Sequence, residues 1–569
     1  LYAEALLLSG CLLDQNKAQV GGAIYSLSGT QLNITACVFT HNSAMEKGGS
    51  LLISATNFIE VKSSKFLYNK GRLSGCVIDA LFTEDIIYIR TVFSRNTCPG
   101  SVIQIDSSKS LSHINTSFIE NSGGQGLEKI EKVKQVETIG CIIIRNNNKH
   151  LNRGHGSIII ADSEYIYIIR TAFVNNTGKR GSLAIMFAES VNIFESIFLN
   201  NTGERSGALD IHHTKTVLTK HCRFVINKTP VGGGAIFCVD VEFLMNNMSW
   251  FEYNKASFGG AIAFFDDSGR YLYEIKPYRK MMNMNCSYVG NIGRTYGGAI
   301  DYKERGNLIN KDTLFSKNSA KLGGAIYSKY QDKVYISKCH FSNNSALDRG
   351  GAIFIQSVKT AKMIFCICSR NSGHAGGAIF AEAENITIKT SKFLMNRVTS
   401  KGGGFFGKNV ESLVLFDTCF LKGIAQHGAG ITVENSDSFL NFKCSFVENY
   451  ALNNGAALYI IDVNLAISSY IVVIRNNAMK LGSIYLSHTD NIYTNNCYFL
   501  NNVAFSGAAI YVENFHIIEN THCIYKTNTA GFDSGAISVN SGDRFVENEG
   551  LCLNNSAEGS GGCMSVLSI

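Results

Sequence analysis

The chain has 569 residues, a formal net charge of +7 and 17% charged residues. Because the small excess of positive charge is spread without basic runs, it gives no support to nucleic-acid binding. Only three prolines occur, which suits a chain that is nearly all β-sheet, since proline cannot donate a ladder hydrogen bond.

A motif, here called the repeated phrase, consists of two glycines, a small residue and an aliphatic residue, and it recurs along the chain about every 26 residues. A fixed period in this range predicts a solenoid or array. Between the glycines lie short alternating runs rich in β-branched and aromatic residues, which favour strands over helices. Intact copies of the phrase stand at Gly21–Ile24, Gly233–Ile236, Gly259–Ile262, Gly297–Ile300, Gly323–Ile326, Gly350–Ile353 and Gly376–Ile379.

We therefore predict an all-β fold, a single-stranded right-handed parallel β-helix (β-solenoid). It would have about 21 coils of ~26 residues, with about three short strands per coil. With parallel strands ~4.8 Å apart, such a rod would be on the order of 100 Å long. We expect one continuous β-helix over residues 1–569. Both ends stop inside repeats without polar caps, so the sequence is expected to be a segment of a longer chain.

Two places lengthen the repeat. Between Gly126 and Ser157 the spacing is 31 residues, and a short excursion is expected near residues 127–140, where the charged run Glu128–Lys134 lies. Between Ala261 and Ala299 it grows to 38 residues, and an insertion projecting from the rod is expected near residues 264–290. Loops on a regular scaffold often carry function.

In most repeats an asparagine lies three residues after an aromatic residue. Stacked over successive coils, these residues would form one column of aromatic side chains and one column of asparagines. Stacked asparagines can pass amide hydrogen bonds from coil to coil, and asparagine tolerates the left-handed backbone of a corner. We interpret this column as a structural ladder, formed by Asn42, Asn69, Asn96, Asn176, Asn201, Asn254, Asn318, Asn344, Asn371, Asn396 and Asn449.

The sharpest candidate for an interaction surface is a second aromatic column. In the strand after the glycines the flanking aliphatic residues are expected to point inward, so the residue between them should point outward. An exposed aromatic stripe suggests a docking surface for a partner, another rod or a glycan; the alternatives are aromatics that merely suit an outer strand face, or a covering loop. The stripe is Tyr327, Phe354, Phe380, Phe406, Tyr459, Tyr485 and Tyr511.

Most of the seventeen cysteines fit buried small apolar positions. Pairs on neighbouring coils, Cys339 with Cys366 and Cys497 with Cys523, leave disulfides open, and the odd total leaves at least one thiol without an internal partner. Ten sequons are possible N-glycosylation sites, at Asn33, Asn115, Asn175, Asn200, Asn227, Asn247, Asn285, Asn343, Asn385 and Asn554.

No catalytic site is predicted. Acid–base work on a polysaccharide would need carboxylates in one column on adjacent coils, and no stacked Asp/Glu set is evident. Asp210 and Asp301 share a column three coils apart, and it is expected to be solvent-accessible. Neighbouring His212 and His213 face opposite sides of a strand and could not chelate together. We expect no metal, no cofactor, no nucleic-acid partner and no transmembrane segment.

Together, the GGA[IL] phrase and the FxxN phrase resemble the repeats of the polymorphic outer membrane protein family. That resemblance implies a pectin-lyase-like parallel β-helix and an extracellular or cell-surface location. The implied function is a non-enzymatic structural or adhesive component of a coat, sheath or filament, and the alternative is a polysaccharide-active enzyme or carbohydrate-binding protein on the same fold. Implied partners are other copies or neighbouring segments, end to end or side by side, and a glycan or surface protein.

Overall fold

The structure is a computed structural model that describes residues 4–148, 156–265 and 278–567. Within these ranges every regular element is a β-strand, and the strands form a parallel β-solenoid of about 21 coils. The predicted fold class is confirmed. The chain divides into two compact units, Leu1–Ser287 and Tyr288–Ile569.

One coil of the second unit shows the plan that both units share. It begins with two strands of the first sheet, Ile326–Lys329 and Lys333–Ser337. A three-residue strand of the second sheet, His340–Ser342, and a two-residue strand of the third, Ser345–Ala346, complete the coil. Each strand pairs in parallel with its equivalent one coil on; Phe341, for example, lies opposite Cys368.

The first sheet carries the longest strands. In several coils its two strands merge into one of 11 to 14 residues, such as Ile353–Ile364. In the first unit its strands are Ala5–Ser9, Ile24–Leu27, Gln31–Thr35, Leu51–Ser54, Phe58–Lys62, Ile78–Leu81, Asp85–Ile89, Ser101–Ile114, Gly126–Ile139, Ile158–Ala161, Tyr165–Ile169, Leu183–Met186, Ser190–Phe194, Leu209–Lys220, Ile236–Asn247, Ile262–Phe265 and Arg279–Met284. In the second unit they are Ile300–Tyr302, Gly306–Lys311, Ile326–Lys329, Lys333–Ser337, Ile353–Ile364, Ile379–Lys389, Phe405–Lys408, Ser412–Phe416, Ile431–Phe442, Leu458–Ser469, Ile484–Asn495, Ile510–Thr521, Ile537–Asn548 and Met564–Leu567.

The shorter strands stack beside them. In the first unit the second sheet holds Leu12–Asp14, Val38–Thr40, Lys65–Leu67, Val92–Ser94, Ser117–Ile119, Ile142–Ile144, Ala172–Val174, Ile197–Leu199, Arg223–Val225 and Trp250–Glu252. In the second unit it holds Leu314–Ser316, His340–Ser342, Ile367–Ser369, Lys392–Leu394, Cys419–Leu421, Ser445–Val447, Val472–Ile474, Tyr498–Leu500, Ile524–Lys526 and Leu551–Leu553. The third sheet consists mostly of two-residue strands, for example Ser43–Ala44 and Ser372–Gly373.

The two glycines of the repeated phrase have different physical roles. Gly350 has φ +65°, and a Cβ there would lie 2.3 Å from the carbonyl oxygen of Ile353. A Cβ on Gly351 would lie 2.0 Å from the carbonyl oxygen of Gly377 on the next coil. The first glycine is therefore needed for a left-handed corner, and the second for close approach of successive coils.

The predicted excursion near residues 127–140 is wrong. Gly126–Ile139 is a continuous strand in register with Ser101–Ile114, with Leu111 opposite Val136. Of the charged run, Lys132 and Lys134 are exposed, whereas Glu128 is buried 3.1 Å from Nε2 of His113. The charged run therefore belongs to a strand and not to a loop. Residues 149–155, which fall in the same lengthened repeat, lie outside the described residues.

Of the insertion expected near residues 264–290, residues 266–277 lie outside the described residues. Residues 279–284 form a regular first-sheet strand, with Leu244 opposite Met281. The short strand Ser287–Val289 spans the boundary of the two units in the sequence. That the whole chain forms one continuous β-helix remains a prediction.

Candidate functional site

The asparagine column is a buried amide ladder. The Nδ2 of Asn344 donates to the carbonyl of Phe315 at 2.9 Å and to Oδ1 of Asn371 at 3.0 Å. Its own Oδ1 accepts the backbone N–H and the Nδ2 of Asn318, both at 3.0 Å. All eleven asparagines assigned to the ladder from the sequence are buried. Each side chain thus satisfies the backbone of one corner and locks it to the next.

The sequence reasoning missed Asn146 of this ladder, which accepts from Asn121 at 2.9 and 3.1 Å. Its coil carries Ile143 in place of an aromatic residue, so the paired signature is absent there. A second missed ladder lies two residues before the aromatic column, where Ser, Thr and Cys alternate. The N–H of Cys37 donates to the hydroxyl of Ser64 at 3.1 Å, and that of Cys366 to Ser391 at 3.1 Å. Cysteine at this position therefore stands in for a small hydroxyl residue.

The cysteines that form disulfides are not the neighbouring-coil pairs considered from the sequence. Disulfides join Cys76 to Cys98 and Cys552 to Cys563. Cys339, Cys366, Cys497 and Cys523 are free and buried, so the neighbouring pairs left open from the sequence are thiols in this structure.

The aromatic stripe is not exposed, and the expectation of an outward-facing docking surface was wrong. Tyr327, Phe354 and Phe380 are 4%, 3% and 1% exposed, and their rings lie 5.1 and 5.2 Å apart. Phe406, Tyr459 and Tyr485 are also buried, and Tyr511 is half-buried. The side chains do leave the main core, but they enter a second internal layer.

This second layer is covered by the chain segment just before the glycines. Tyr296, Leu322 and Ala375 pack against the rings, and the guanidinium of Arg349 lies 5.1 Å from the Phe380 ring centre. These covering residues bridge from coil to coil, as Arg349 does with Ala375. The strand after the glycines is therefore buried on both faces. The sequence prediction assumed that one face of the strand is buried and the other exposed, and so did not foresee this.

Acidic residues in the same column are buried too, which corrects the expectation of a solvent-accessible position. Asp79, Asp210 and Asp301 are each 0% exposed. Burial raises the pKa of Asp79 and of Asp301 to about 6, against the lowering effect of Lys47 and Lys303 respectively. Asp210 Oδ1 lies 2.6 Å from Nε2 of His212, which is likewise buried. His213 faces the other way and contacts Asp240 at 3.3 Å.

Most of the sequon asparagines are exposed at corners. Asn115, Asn175, Asn200, Asn285, Asn343 and Asn554 are exposed and have φ between 51° and 56°. Asn385 is exposed on a strand, whereas Asn33 and Asn247 are half-buried. Asn227 is different: it is 0% exposed and bonded to Asn254 within the amide ladder. A glycan on Asn227 would be incompatible with this fold.

The absence of stacked acids, expected from the sequence, was also wrong. Register places Asn385, Ser412 and Ser438 in one column, so the residues just before them also form a column. Those residues are Glu384, Glu411 and Asp437 on three successive coils. The strand Ile379–Lys389 is one residue shorter than its neighbour Ile353–Ile364. Glu384 is therefore one residue closer to its glycines than Glu411 is, and counting from the glycines does not align the two.

This one-residue deletion shapes the outer face of the first sheet. In the second unit an exposed ridge of left-handed residues crosses the sheet, with φ from 49° to 73°, at Tyr330, Ser357, Asn409, Asn435, Asp462, His488, Asn514 and Ser541. The strand Ile379–Lys389 has no such residue: its register skips between Gln356 and Val358 of the neighbouring strand. The ridge is interrupted at this coil.

A cleft of about 560 Å³ opens at the interruption. Arg305, Tyr330, Asp332 and Lys359 line it on the preceding coils, and Glu382, Glu384, Asn409 and Glu411 line it from the interruption onward. Asp332 receives Lys359 Nζ at 3.0 Å and Arg305 Nε at 3.7 Å. Glu382 accepts from Gln356 Nε2 at 2.8 Å. One end of the cleft therefore carries the two cations, which pair with Asp332, and the other end carries the carboxylates of Glu382, Glu384 and Glu411.

Nothing in this arrangement indicates a metal centre. Across residues 4–148, 156–265 and 278–567, no group of three or more His, Cys, Asp or Glu is placed to hold a metal ion. The same ranges contain no helix that could cross a membrane.

Comparison with known proteins identifies the class of repeat. The sequence model of the Chlamydia polymorphic membrane protein (Chlamydia_PMP) repeat matches residues 312–329 and 338–356. The chain is thus a β-solenoid repeat protein, and its residues 312–329 and 338–356 match the polymorphic membrane protein repeat.

Relatives occur in two very different organisms. Probable outer membrane protein PmpB of Chlamydia trachomatis is 34% identical over 97 residues, covering 16% of this chain and 6% of that protein. Metabotropic glutamate receptor-like protein R of Dictyostelium discoideum is 24% identical over 254 residues, covering 44% of this chain and 14% of that protein. Receptor-like protein Q of the same organism is 30% identical over 168 residues, covering 29% and 14%. The chain spans only a small part of the length of these relatives.

Proposed function

We propose that the chain is a non-enzymatic structural or adhesive β-solenoid displayed at a cell surface. The observation that carries the proposal is the use of polar side chains. Asparagine, serine, threonine and cysteine side chains are committed to ladders that hold one coil to the next. Such ladders give a regular scaffold with long outer faces, which suits a coat, sheath or filament.

The comparisons support the location. The repeat matched here is described for polymorphic membrane proteins, and one relative is described as a probable outer membrane protein. We accordingly propose an extracellular or surface location, with other copies or neighbouring segments as structural partners.

The rival function is cleavage of a polysaccharide at the acids beside the cleft. Glycoside hydrolysis needs one carboxylic acid held protonated, usually by an apolar environment. Glu384 and Glu411 are exposed to solvent, which favours binding over cleavage. Carbohydrate binding therefore remains the second candidate.

The location is tested with antibodies raised against the purified chain and applied to intact cells of the source organism. We expect labelling without permeabilisation, and loss of the labelling after brief treatment of intact cells with protease. Labelling that needs permeabilised cells would reject a surface role. In parallel, incubation of the purified chain with linear glycans should release no new reducing ends; release would favour the enzymatic alternative.

A further inference from the structure

We propose that the cleft at the interrupted ridge binds a linear glycan that is neutral or bears amino groups. The inference rests on the proposed adhesive function and names the chemistry of its ligand. The cleft crosses five coils, from Arg305 to Glu411, and so extends about 20 Å along the stacking direction at ~4.8 Å per coil.

The shape of the cleft comes from one missing residue. Neighbouring coils place an exposed left-handed residue on the ridge, Ser357 on one side and Asn409 on the other. The strand Ile379–Lys389 passes directly from Glu382 to Ala383, which lies opposite the inward-facing Val358. The side chains flanking the gap, Glu382 and Glu384, therefore border a groove that runs from coil to coil.

Tyr330 provides an aromatic wall. Its side chain is 55% exposed, and it lines the cleft from a backbone position with φ 73°. An exposed aromatic face packs well against the C–H face of a sugar ring, because the negative ring face attracts weakly positive C–H groups. The adjacent Lys329 places its Nζ 4.6 Å from the centre of the Tyr330 ring, within cation–π distance.

The polar groups recur at the spacing of the coils. Glu384 and Glu411 offer acceptors, Arg305 and Lys359 offer donors, and the amide of Asn409 offers both. A chain of sugar rings presents hydroxyl groups at regular intervals, each able to donate and accept. A series of such side chains one coil apart matches that pattern.

A peptide fits less well. Peptides often bind sheets by adding a strand to a free edge. Here Ile379–Lys389 pairs with Ile353–Ile364 on one side and, outside residues 382–384, with Phe405–Lys408 and Ser412–Phe416 on the other. No free strand edge therefore runs along the cleft, and recognition rests mainly on side chains, which suits a ligand that presents hydroxyl groups.

The charge of the cleft selects among glycans. Its lining holds two cations, Arg305 and Lys359, and four carboxylates, on Asp332, Glu382, Glu384 and Glu411. The excess of two negative charges disfavours polyuronates and sulfated glycans, and it favours neutral or aminated chains.

The test uses the full purified chain and calorimetric titration with three hexameric probes: cello-oligosaccharide (neutral), chitosan oligosaccharide (aminated) and oligogalacturonate (anionic). We expect binding of the first two and none of the third. Tyr330→Ala should weaken binding roughly fivefold to tenfold, as expected for loss of one aromatic contact. Tyr470→Ala is the matched control, since Tyr470 is also 55% exposed and left-handed but lies at another corner; it should change nothing.

A second variant removes the cleft without touching its side chains. Insertion of one asparagine between Glu382 and Ala383 restores the 12-residue strand found in neighbouring coils, and should abolish binding while leaving thermal unfolding unchanged. Glu384→Gln with Glu411→Gln should weaken the aminated probe and leave the neutral one bound. Asp490→Asn, in the same column but away from the cleft, should have no effect.

The proposal is overturned if the wild-type chain binds neither the neutral hexamer nor the aminated hexamer. So does undiminished binding by the insertion variant, or binding of a lysine-rich peptide in place of the glycans. None of these results bears on surface labelling of intact cells, so failure of the glycan site is distinguishable from failure of the surface role.

Discussion

The amide ladder predicts a large and local effect for a single substitution, Asn476→Ala. The Nδ2 of Asn476 donates to the carbonyl of Phe446 at 2.9 Å, to that of Ile474 at 3.2 Å and to Oδ1 of Asn502 at 3.1 Å. Its Oδ1 accepts the backbone N–H and Nδ2 of Asn449 at 3.0 and 2.9 Å. Alanine removes all of these and leaves a buried N–H and carbonyl unpaired.

At about 1 kcal/mol net for each hydrogen bond, and more where a buried partner is orphaned, the free energy of unfolding should fall by about 3 to 5 kcal/mol. Because each coil contacts its neighbours only, the loss should be concentrated in adjacent coils. Urea unfolding measures the total, and amide hydrogen exchange of peptides from residues 444–502 locates it.

The neighbouring residue provides the control. Asn477 is in the same coil but exposed, so Asn477→Ala should stay within about 0.5 kcal/mol of the wild type. Equal effects of the two substitutions, or an Asn476→Ala protein that matches the wild type, would refute the reasoning that the ladder holds the coils together.

Three further predictions concern the second layer, a buried acid and a disulfide. Phe354→Ala should lower the free energy of unfolding by about 3 to 5 kcal/mol, whereas Phe365→Ala, at a 56% exposed corner, should have little effect in the same urea titration. Burial raises the pKa of Asp301 from 3.8 to about 6, so the folded chain binds more protons than the unfolded chain between those values, and stability falls as the pH rises through that window. Asp301→Asn should therefore stabilise the protein by up to about 3 kcal/mol at pH 7.5, a gain that vanishes below about pH 4 when unfolding is followed against pH. Joint replacement of Cys76 and Cys98 by serine should cost about 3 kcal/mol, seen in non-reducing but not in reducing urea titrations, because the bridge closes a 22-residue separation; an unchanged midpoint would contradict this.

The sequence was sufficient for the fold because the strongest signals are local and repeated. Gly350 and Gly351 mark a corner that no other residue fits, and the stacked Asn344 and Asn371 mark the next. These requirements act between adjacent coils, so they leave a period in the sequence. The recurrence of cysteine at one position of the repeat likewise indicated that most cysteines are small buried residues.

The candidate site was harder to predict because it lies where the repeat spacing changes by one residue.

The aromatic column was misplaced for a different reason. Tyr327 was assigned to the outside, since strand alternation distinguishes two faces but cannot reveal that the second face is also covered. The cover comes from residues before the glycines, such as Leu322, whose role is visible only in three dimensions. The stacked Glu384 and Glu411 were missed because a one-residue deletion moved them out of step with the glycines.

The surface role is tested by removing the codons for residues 1–569 in frame from the natural gene. The measurement is the adhesion of the resulting cells to one another and to glycan-coated surfaces, by single-cell force spectroscopy, beside cells with the intact gene. We expect weaker adhesion or a disrupted coat, with rescue by the intact gene. Unchanged adhesion and an unchanged coat, in cells where the intact chain is shown to be at the surface, would contradict the surface role.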